Sequence, residues 1–299
     1  MSVRAALSDC IVVGLGSIGT AVARALGSHL VAAVEIEPGH PPVEVPVVST
    51  IAAARAAAPG ARVAVLTTSS KLAEIVPQID EALAHDLHVV STCEELAFPA
   101  LRRPDLAESI DRAARERGRA VIGVGVNPGF VMDWLPLAAG RACVRIDRIE
   151  AERIVDTTRR RGQLRKKVGE GMPEAEWRAK ADAGKLGHVG LAESAALLCA
   201  GLGWTPGAIE ETLDPVVRDG VAQGLIQTAS AAGGRVTLRL EMAADAPGPR
   251  DHLRISGDPP IELMLPDGIH GDRGTIGTVL YGVRRVTTLA PGLRTVLDL

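Results

Sequence analysis

A strand, a glycine-rich turn and a helix follow one another within the first 27 residues, and this order constrains the fold more than any other feature of the chain. Asp9 to Val13 is a short apolar run rich in β-branched residues. Gly14-Leu15-Gly16-Ser17-Ile18-Gly19 follows it, and then Thr20 to Gly27, which is Ala-rich and amphipathic. Each glycine has a mechanical reason: a tight turn at Gly14, close approach of backbone to a ligand at Gly16, and close packing of helix on strand at Gly19. Ser17 and Ile18 open the helix, whose N-terminus offers amide N–H groups to a phosphate. A second apolar run, Leu30 to Val34, leads to Glu35, 21 positions after Gly14. A carboxylate there accepts hydrogen bonds from ribose hydroxyls and repels a 2′-phosphate. The pattern predicts a bound dinucleotide, NAD or NADP, with NAD slightly favoured. Glu37, pointing the other way along the strand, is the alternative acid.

The alternation then repeats, with helices near Ile51 to Ala58, Leu72 to Ala84 and Asp105 to Arg117 separating strands at Arg62 to Leu66, His88 to Ser91 and Ala120 to Gly123. The strands read as continuous Val, Leu and Ile, as expected when helices cover both faces of a parallel sheet. The fold class is α/β: an N-terminal Rossmann domain with a doubly wound parallel sheet, residues 1–133. After Trp134 longer strands alternate polar and apolar residues, Val144 to Asp156 and Arg235 to Met242, with shorter ones at His252 to Ser256 and Ile261 to Leu265. That alternation predicts a C-terminal α+β domain with a mostly antiparallel sheet, residues 134–270, for substrate binding and oligomerisation. Arg159 to Lys167 reads as a basic loop, and Pro173 to Ala183 and Leu191 to Leu202 as helices. The last segment, 271–299, opens as a helix and is expected to return to the first domain.

Composition excludes several classes. Lys plus Arg number 33 against 36 Asp plus Glu, a net charge of -3, so the basic footprint of a nucleic-acid binder is missing. Cys10, Cys93, Cys143 and Cys199 are widely spaced and form no metal-ligand motif, which fits reduced thiols in the cytoplasm and no bound metal. No apolar run approaches the roughly 20 residues a membrane span requires, and the start of the chain does not read as a signal peptide. A homodimer through the sheet of the second domain is expected, because an open sheet face calls for cover.

In an open α/β sheet, ligands lie beyond the carboxyl ends of the strands. Thr67-Thr68-Ser69 at one such end offers hydroxyls to the cofactor, or caps the next helix. The next end is Ser91-Thr92-Cys93-Glu94-Glu95. Of its two adjacent acids only one can enter a site. Glu94 is the choice, as a general acid/base that holds a water or an ammonium, against a reading of both as helix-dipole partners. Thr92 lies beside it, and Cys93 reads as a small buried thiol rather than a nucleophile. The third end, Gly123-Val124-Gly125-Val126-Asn127-Pro128-Gly129-Phe130, brings flexible backbone to the nicotinamide, with Asn127 as a hydrogen-bonding partner and Phe130 as pocket wall or core. Farther on, Arg159, Arg160 and Arg161 are either a solvated loop or a grip for a substrate carboxylate. His188 and His270, each flanked by glycine, line a pocket or are structural.

These residues resemble the 2,4-diaminopentanoate dehydrogenase family and the related native amine dehydrogenases, of dihydrodipicolinate-reductase-like architecture. The resemblance rests on Val90-Ser91-Thr92-Cys93-Glu94-Glu95-Leu96, Asn127-Pro128-Gly129-Phe130, Gly187-His188-Val189-Gly190-Leu191, Ile269-His270-Gly271-Asp272 and Pro291-Gly292-Leu293. It implies NAD(P)-dependent, reversible oxidative deamination of an amine or diamino acid to ketone plus ammonia, with Glu94 as the catalytic acid. Dihydrodipicolinate reductase itself fits less well, since Val155-Asp156-Thr157-Thr158-Arg159 stands where its paired histidines would be. A C=N or C=O reductase that releases no ammonia and a non-catalytic dinucleotide-binding sensor are the competing readings.

Overall fold

The structure, a computed structural model, describes residues 6–36, 43–158, 160 and 162–299. Two compact units divide the chain, one of Met1–Phe130 with Gly271–Leu299 and one of Val131–His270.

In the first unit the chain runs β1 (Cys10–Val13), α1 (Ser17–Leu26), β2 (Leu30–Val34), β3 (Val47–Val48), α2 (Ile51–Ala57), β4 (Val63–Leu66), α3 (Leu72–Ala84), β5 (His88–Ser91), α4 (Pro104–Glu116) and β6 (Ala120–Gly123). The second unit holds α5 (Trp134–Gly140), β7 (Arg145–Asp156), α6 (Gly162–Lys167), α7 (Glu174–Asp182), α8 (Leu191–Leu202), β8 (Glu210–Arg218), β9 (Val221–Ala231), β10 (Val236–Ala243), β11 (Arg250–Asp258) and β12 (Ile261–Pro266). Then α9 (Gly271–Val286) and β13 (Gly292–Arg294) complete the first unit.

The seven-stranded sheet of the first unit has the order β13-β6-β5-β4-β1-β2-β3, and every neighbouring pair is parallel. Strands β1, β4, β5 and β6 are buried along their whole length, which explains their unbroken apolar sequences. Ile11, Leu66 and Val89 from the sheet pack with Leu72, Ile75 and Ile79 of α3 in one core cluster. Strand order reverses between β1 and β4. The crevice at such a switch point is where an open α/β sheet takes its ligand, and the glycine turn leaves β1 into it. α9 contacts α1 and β5, and Gly282 sits where a Cβ would come within 3.1 Å of Val90.

His88 is an apolar-sheet histidine kept neutral. It is buried, its Nδ1 accepts from Ala120 N at 3.1 Å, and burial, then the nearby Arg119 and Arg62, lower its pKa from 6.5 to about 4. Because the folded value lies below the unfolded one, the unfolded chain binds more protons in between. The stability this provides is complete above pH 6.5 and is lost as pH falls towards 4. His88→Asn keeps an acceptor for Ala120 and removes the titration. Denaturant melts at pH 7 and pH 4 should show the variant losing about 2 kcal/mol less than the parent.

The second unit carries a six-stranded sheet of order β12-β11-β7-β10-β9-β8, antiparallel except for the parallel pair β7 and β10. Directly opposite residues share a face. Ala151, Leu238, Ala229 and Leu253 form one such row on the buried face, where α8 meets β9 and β10. α8 is apolar on nearly every side and is buried from Leu191 to Cys199. The opposite face is laced with ion pairs: Glu152 meets Arg239 at 3.1 Å and Arg250 at 2.7 Å, and Arg239 meets Glu241 at 2.6 Å.

The expectation of a loop from Arg159 to Lys167 needs correction, since Gly162–Lys167 is helix α6. Gln, Leu, Arg and Lys are good helix formers, and the basic residues Arg165, Lys166 and Lys167 gather in its last turn, where they complement the helix dipole.

Candidate active site

The glycine turn is locked from three sides. Gly14 has φ +87° and donates its N–H to Val34 O at 2.9 Å. A Cβ on Gly19 would lie 1.8 Å from Gly14 O and 2.5 Å from Thr67 Oγ1, so no other residue fits. Thr67 fills the space that Gly19 leaves, donating within reach of Gly14 O at 2.7 Å and Val13 O at 3.1 Å. Gly16 is different. A Cβ there meets nothing within 4 Å among the described residues, and Gly16 is the N-cap of α1, which has no side-chain cap and no acid in its first turn. An open cradle at an uncapped helix N-terminus fits the pyrophosphate of a dinucleotide.

Glu35 leaves the end of β2 and folds its carboxylate onto this turn, accepting from Leu15 N at 2.6 Å and from Ile36 N at 2.8 Å. The acid that can read a ribose is therefore tied to the loop that would hold the phosphates. Glu37, the alternative, lies outside the described residues.

At the ends of β4, β5 and β6 several local hydrogen bonds support the chain. Thr68 Oγ1 donates to Gln78 Oε1 at 2.8 Å, midway along α3, and Ser69 bonds Glu74 while accepting from Lys71 N at 3.1 Å, at its start, so both brace this helix. Glu95 Oε2 accepts from Leu72 N at 2.7 Å, which makes this acid a cap of α3. Its neighbour Glu94 is half-buried beside Thr92, whose N–H bonds Leu66 O at 3.0 Å. Cys93 is 1% exposed and burial pushes its thiol up to about 12, so it is a packing residue and no nucleophile.

The glycines after β6 serve the chain itself. A Cβ on Gly123 would meet Leu96 backbone at 2.6 Å, one on Gly125 would meet Pro128 O at 2.5 Å, and Gly129, at φ +119°, lies against Gly125. They fold residues 123–130 into a tight knot in which Asn127 is buried ahead of a cis proline, Pro128. Phe130 is half-buried at its end. The sheet thus gathers Gly14, Gly16, Ser17, Ile18, Gly19, Glu35, Thr67, Thr68, Ser69, Thr92, Glu94 and Asn127 along one edge, at the carboxyl ends of its strands.

The remaining candidates belong to the second unit. Arg159 and Arg161 lie outside the described residues. Arg160 is half-buried, and its Nη1 is shut off from solvent without a hydrogen-bond partner among the described residues. His188 is half-buried between α7 and α8, with its backbone bonded to Gln227, and His270 is exposed just before α9. Arg153, Asp251 and Gln227 had not been singled out in the sequence. All three are buried polar residues on the inward face of the second sheet, and only the strand register brings them together. Among the described residues no cluster of His, Cys, Asp or Glu could hold a metal ion, and no helix is long and apolar enough to cross a membrane.

A doubly wound sheet with an open glycine turn at its switch point, followed by an α+β unit, is the architecture of two-domain nicotinamide-dependent oxidoreductases. The sequence profile of the 2,4-diaminopentanoate dehydrogenase C-terminal domain matches residues 130–299, and the chain belongs to that family. Family membership places it among oxidoreductases that act on amine donors. The 2,4-diaminopentanoate dehydrogenase of Acetoanaerobium sticklandii is 28% identical over 260 residues, covering 80% of this chain and 74% of the relative. An amine dehydrogenase from Mycobacterium smegmatis shares the fold at TM-score 0.83 and 18% identity, covering 99% of this chain and 97% of that one. Dipicolinate-bound dihydrodipicolinate reductase from Paenisporosarcina sp. TG-14 shares it at TM-score 0.61 and 10% identity, covering 98% and 100%.

Proposed function

We propose that the protein catalyses the reversible, NAD(P)-dependent oxidative deamination of an amine or diamino acid to ketone and ammonia. The observation that carries this reading is the position of Glu94, a half-buried acid just past the carboxyl end of β5, where the neighbouring Glu95 caps α3. Bound nicotinamide supplies the hydride acceptor for the carbon that bears the amine. Glu94 holds the substrate nitrogen, takes the proton from the water that adds to the iminium carbon, and returns it to the departing ammonia. Gly14, Gly16, Gly19 and the start of α1 would hold the pyrophosphate, and Asn127 the carboxamide. The position of Glu35 favours NAD, because a 2′-phosphate would meet its charge.

Arg160 supports a substrate with an anionic substituent. Its shielded Nη1 offers a donor, and guanidinium pairs with carboxylate. Phe130, Arg159, His188 and His270 are the other candidates for contact with the substrate. The ion-paired face of the six-stranded sheet, with a shallow depression among Glu152, Thr228, Arg239 and Arg250, is the surface through which two copies would form a homodimer. Four free cysteines suit a reducing compartment, the cytoplasm.

Ammonium decides between this reading and the two others. Purified protein should oxidise NADH, and NADPH less well, with a ketone only when ammonium is present. Equal rates without ammonium would identify a C=N or C=O reductase, and no turnover with either nucleotide would identify a sensor.

A further inference from the structure

Both glycine-flanked histidine segments are held through their main chain by buried side chains of the sheet. Gln227 accepts from His188 N at 2.9 Å and donates to His188 O at 3.1 Å, so one side chain satisfies both backbone groups of a residue that belongs to no helix or strand. Ile269, immediately before His270, is held in the same way by a pair. Its N–H donates to Asp251 Oδ2 at 2.7 Å, and its carbonyl accepts from Arg153 Nη2. Arg153 Nη1 in turn reaches both oxygens of Asp251, at 2.7 and 2.8 Å, with 4% of Arg153 and 1% of Asp251 exposed.

These three side chains form one line. Gln227 of β9 lies opposite Leu240 of β10, Leu240 opposite Arg153 of β7, and Arg153 opposite Asp251 of β11. Opposite residues share a face, so a single cross-strand row on the buried side of the sheet carries both locks. Packing alone calls for apolar residues here, and the rows on either side supply them, Ala151, Leu238 and Leu253 on one and Val155, Met242 and Leu225 on the other. A buried row of Gln, Arg and Asp is costly unless fully hydrogen-bonded, and its bonds go to the two histidine segments.

We infer that Gln227, Arg153 and Asp251 are the positioning residues of the substrate pocket, setting the backbone of His188 and His270 from one rigid sheet row. The inference rests on the amine dehydrogenase reading, which places both histidines at the substrate. Gln227→Leu keeps the volume and removes the lock on His188, and Asp251→Asn weakens the lock on Ile269 while leaving Arg153 a partner. Hydrogen exchange at residue resolution should show the His188 amide exchanging at least tenfold faster in Gln227→Leu, and the Ile269 amide in Asp251→Asn, about the change expected when a local lock opens. KM for the amine should rise about tenfold or more in each with kcat within about threefold, the mark of lost substrate positioning. NADH affinity should not move. Unchanged exchange, or a lock that opens while KM stays put in an active enzyme, overturns the inference alone. A parent protein inert towards amines with both nucleotides overturns the dehydrogenase reading and the inference with it.

Discussion

Glu94→Gln should lower kcat by about 10²- to 10⁴-fold and leave NADH affinity within about twofold, because an amide holds the shape of the site but can neither take nor return a proton at neutral pH. The adjacent substitution is the control. Glu95 is bonded to Leu72 N at the start of α3, so Glu95→Gln should cost about 1 kcal/mol of stability at most and change turnover by only a few fold. Steady-state rates and thermal melts of the two variants, measured side by side, test the assignment. If Glu95→Gln is the inactive protein, the roles are reversed and the carboxylate for proton transfer is the one that caps the helix.

That contrast also shows where the sequence stops being readable. The spacing of Gly14, Gly16, Gly19 and Glu35 foretells strand, turn, helix and acid, because Gly14 and Gly19 answer local steric demands, Gly16 leaves the helix N-terminus open, and the acid answers a fixed strand length. Two adjacent glutamates at Glu94 and Glu95 carry no such local difference. What separates them is Leu72, more than 20 residues away, and only the sheet brings its amide to Glu95. The hydroxyls of Thr67 and Ser69 pose the same ambiguity, and contacts to Gly14 O and Glu74 turn both towards support of the fold. The hairpin of β8 and β9 escaped notice for another reason. β9 mixes Ala, Gly, Ser, Thr and Gln with Val221, Leu225 and Ile226, which blurs its alternation. A local sign was nonetheless present, since Asp219 and Gly220, at φ +50° and +75°, make the Asp-Gly turn that joins two antiparallel strands. The row of Gln227, Arg153 and Asp251 is harder still, because it exists only in the register of four strands.

The second large effect belongs to the turn itself, where two glycines should fail in different ways. In Gly19→Ala the new methyl group would fall 1.8 Å from Gly14 O and 2.5 Å from Thr67 Oγ1, neither of which can retreat, since Gly14 N is bonded to Val34 O and Thr67 lies at the end of β4. α1 must then move off β1, and the variant should lose about 3 kcal/mol or more together with dinucleotide binding. Gly16→Ala meets open space, and its φ of -63° suits any residue, so its stability should change by about 1 kcal/mol at most. If a pyrophosphate lies over that cradle, the same methyl group stands between the phosphate and the helix N-terminus, and the Kd for NADH should rise by about tenfold or more in a protein that melts almost as the parent does. Calorimetric binding and melts on both variants separate the two causes. A Gly16→Ala protein that binds NADH as tightly as the parent would show that the turn folds the domain without holding the phosphates.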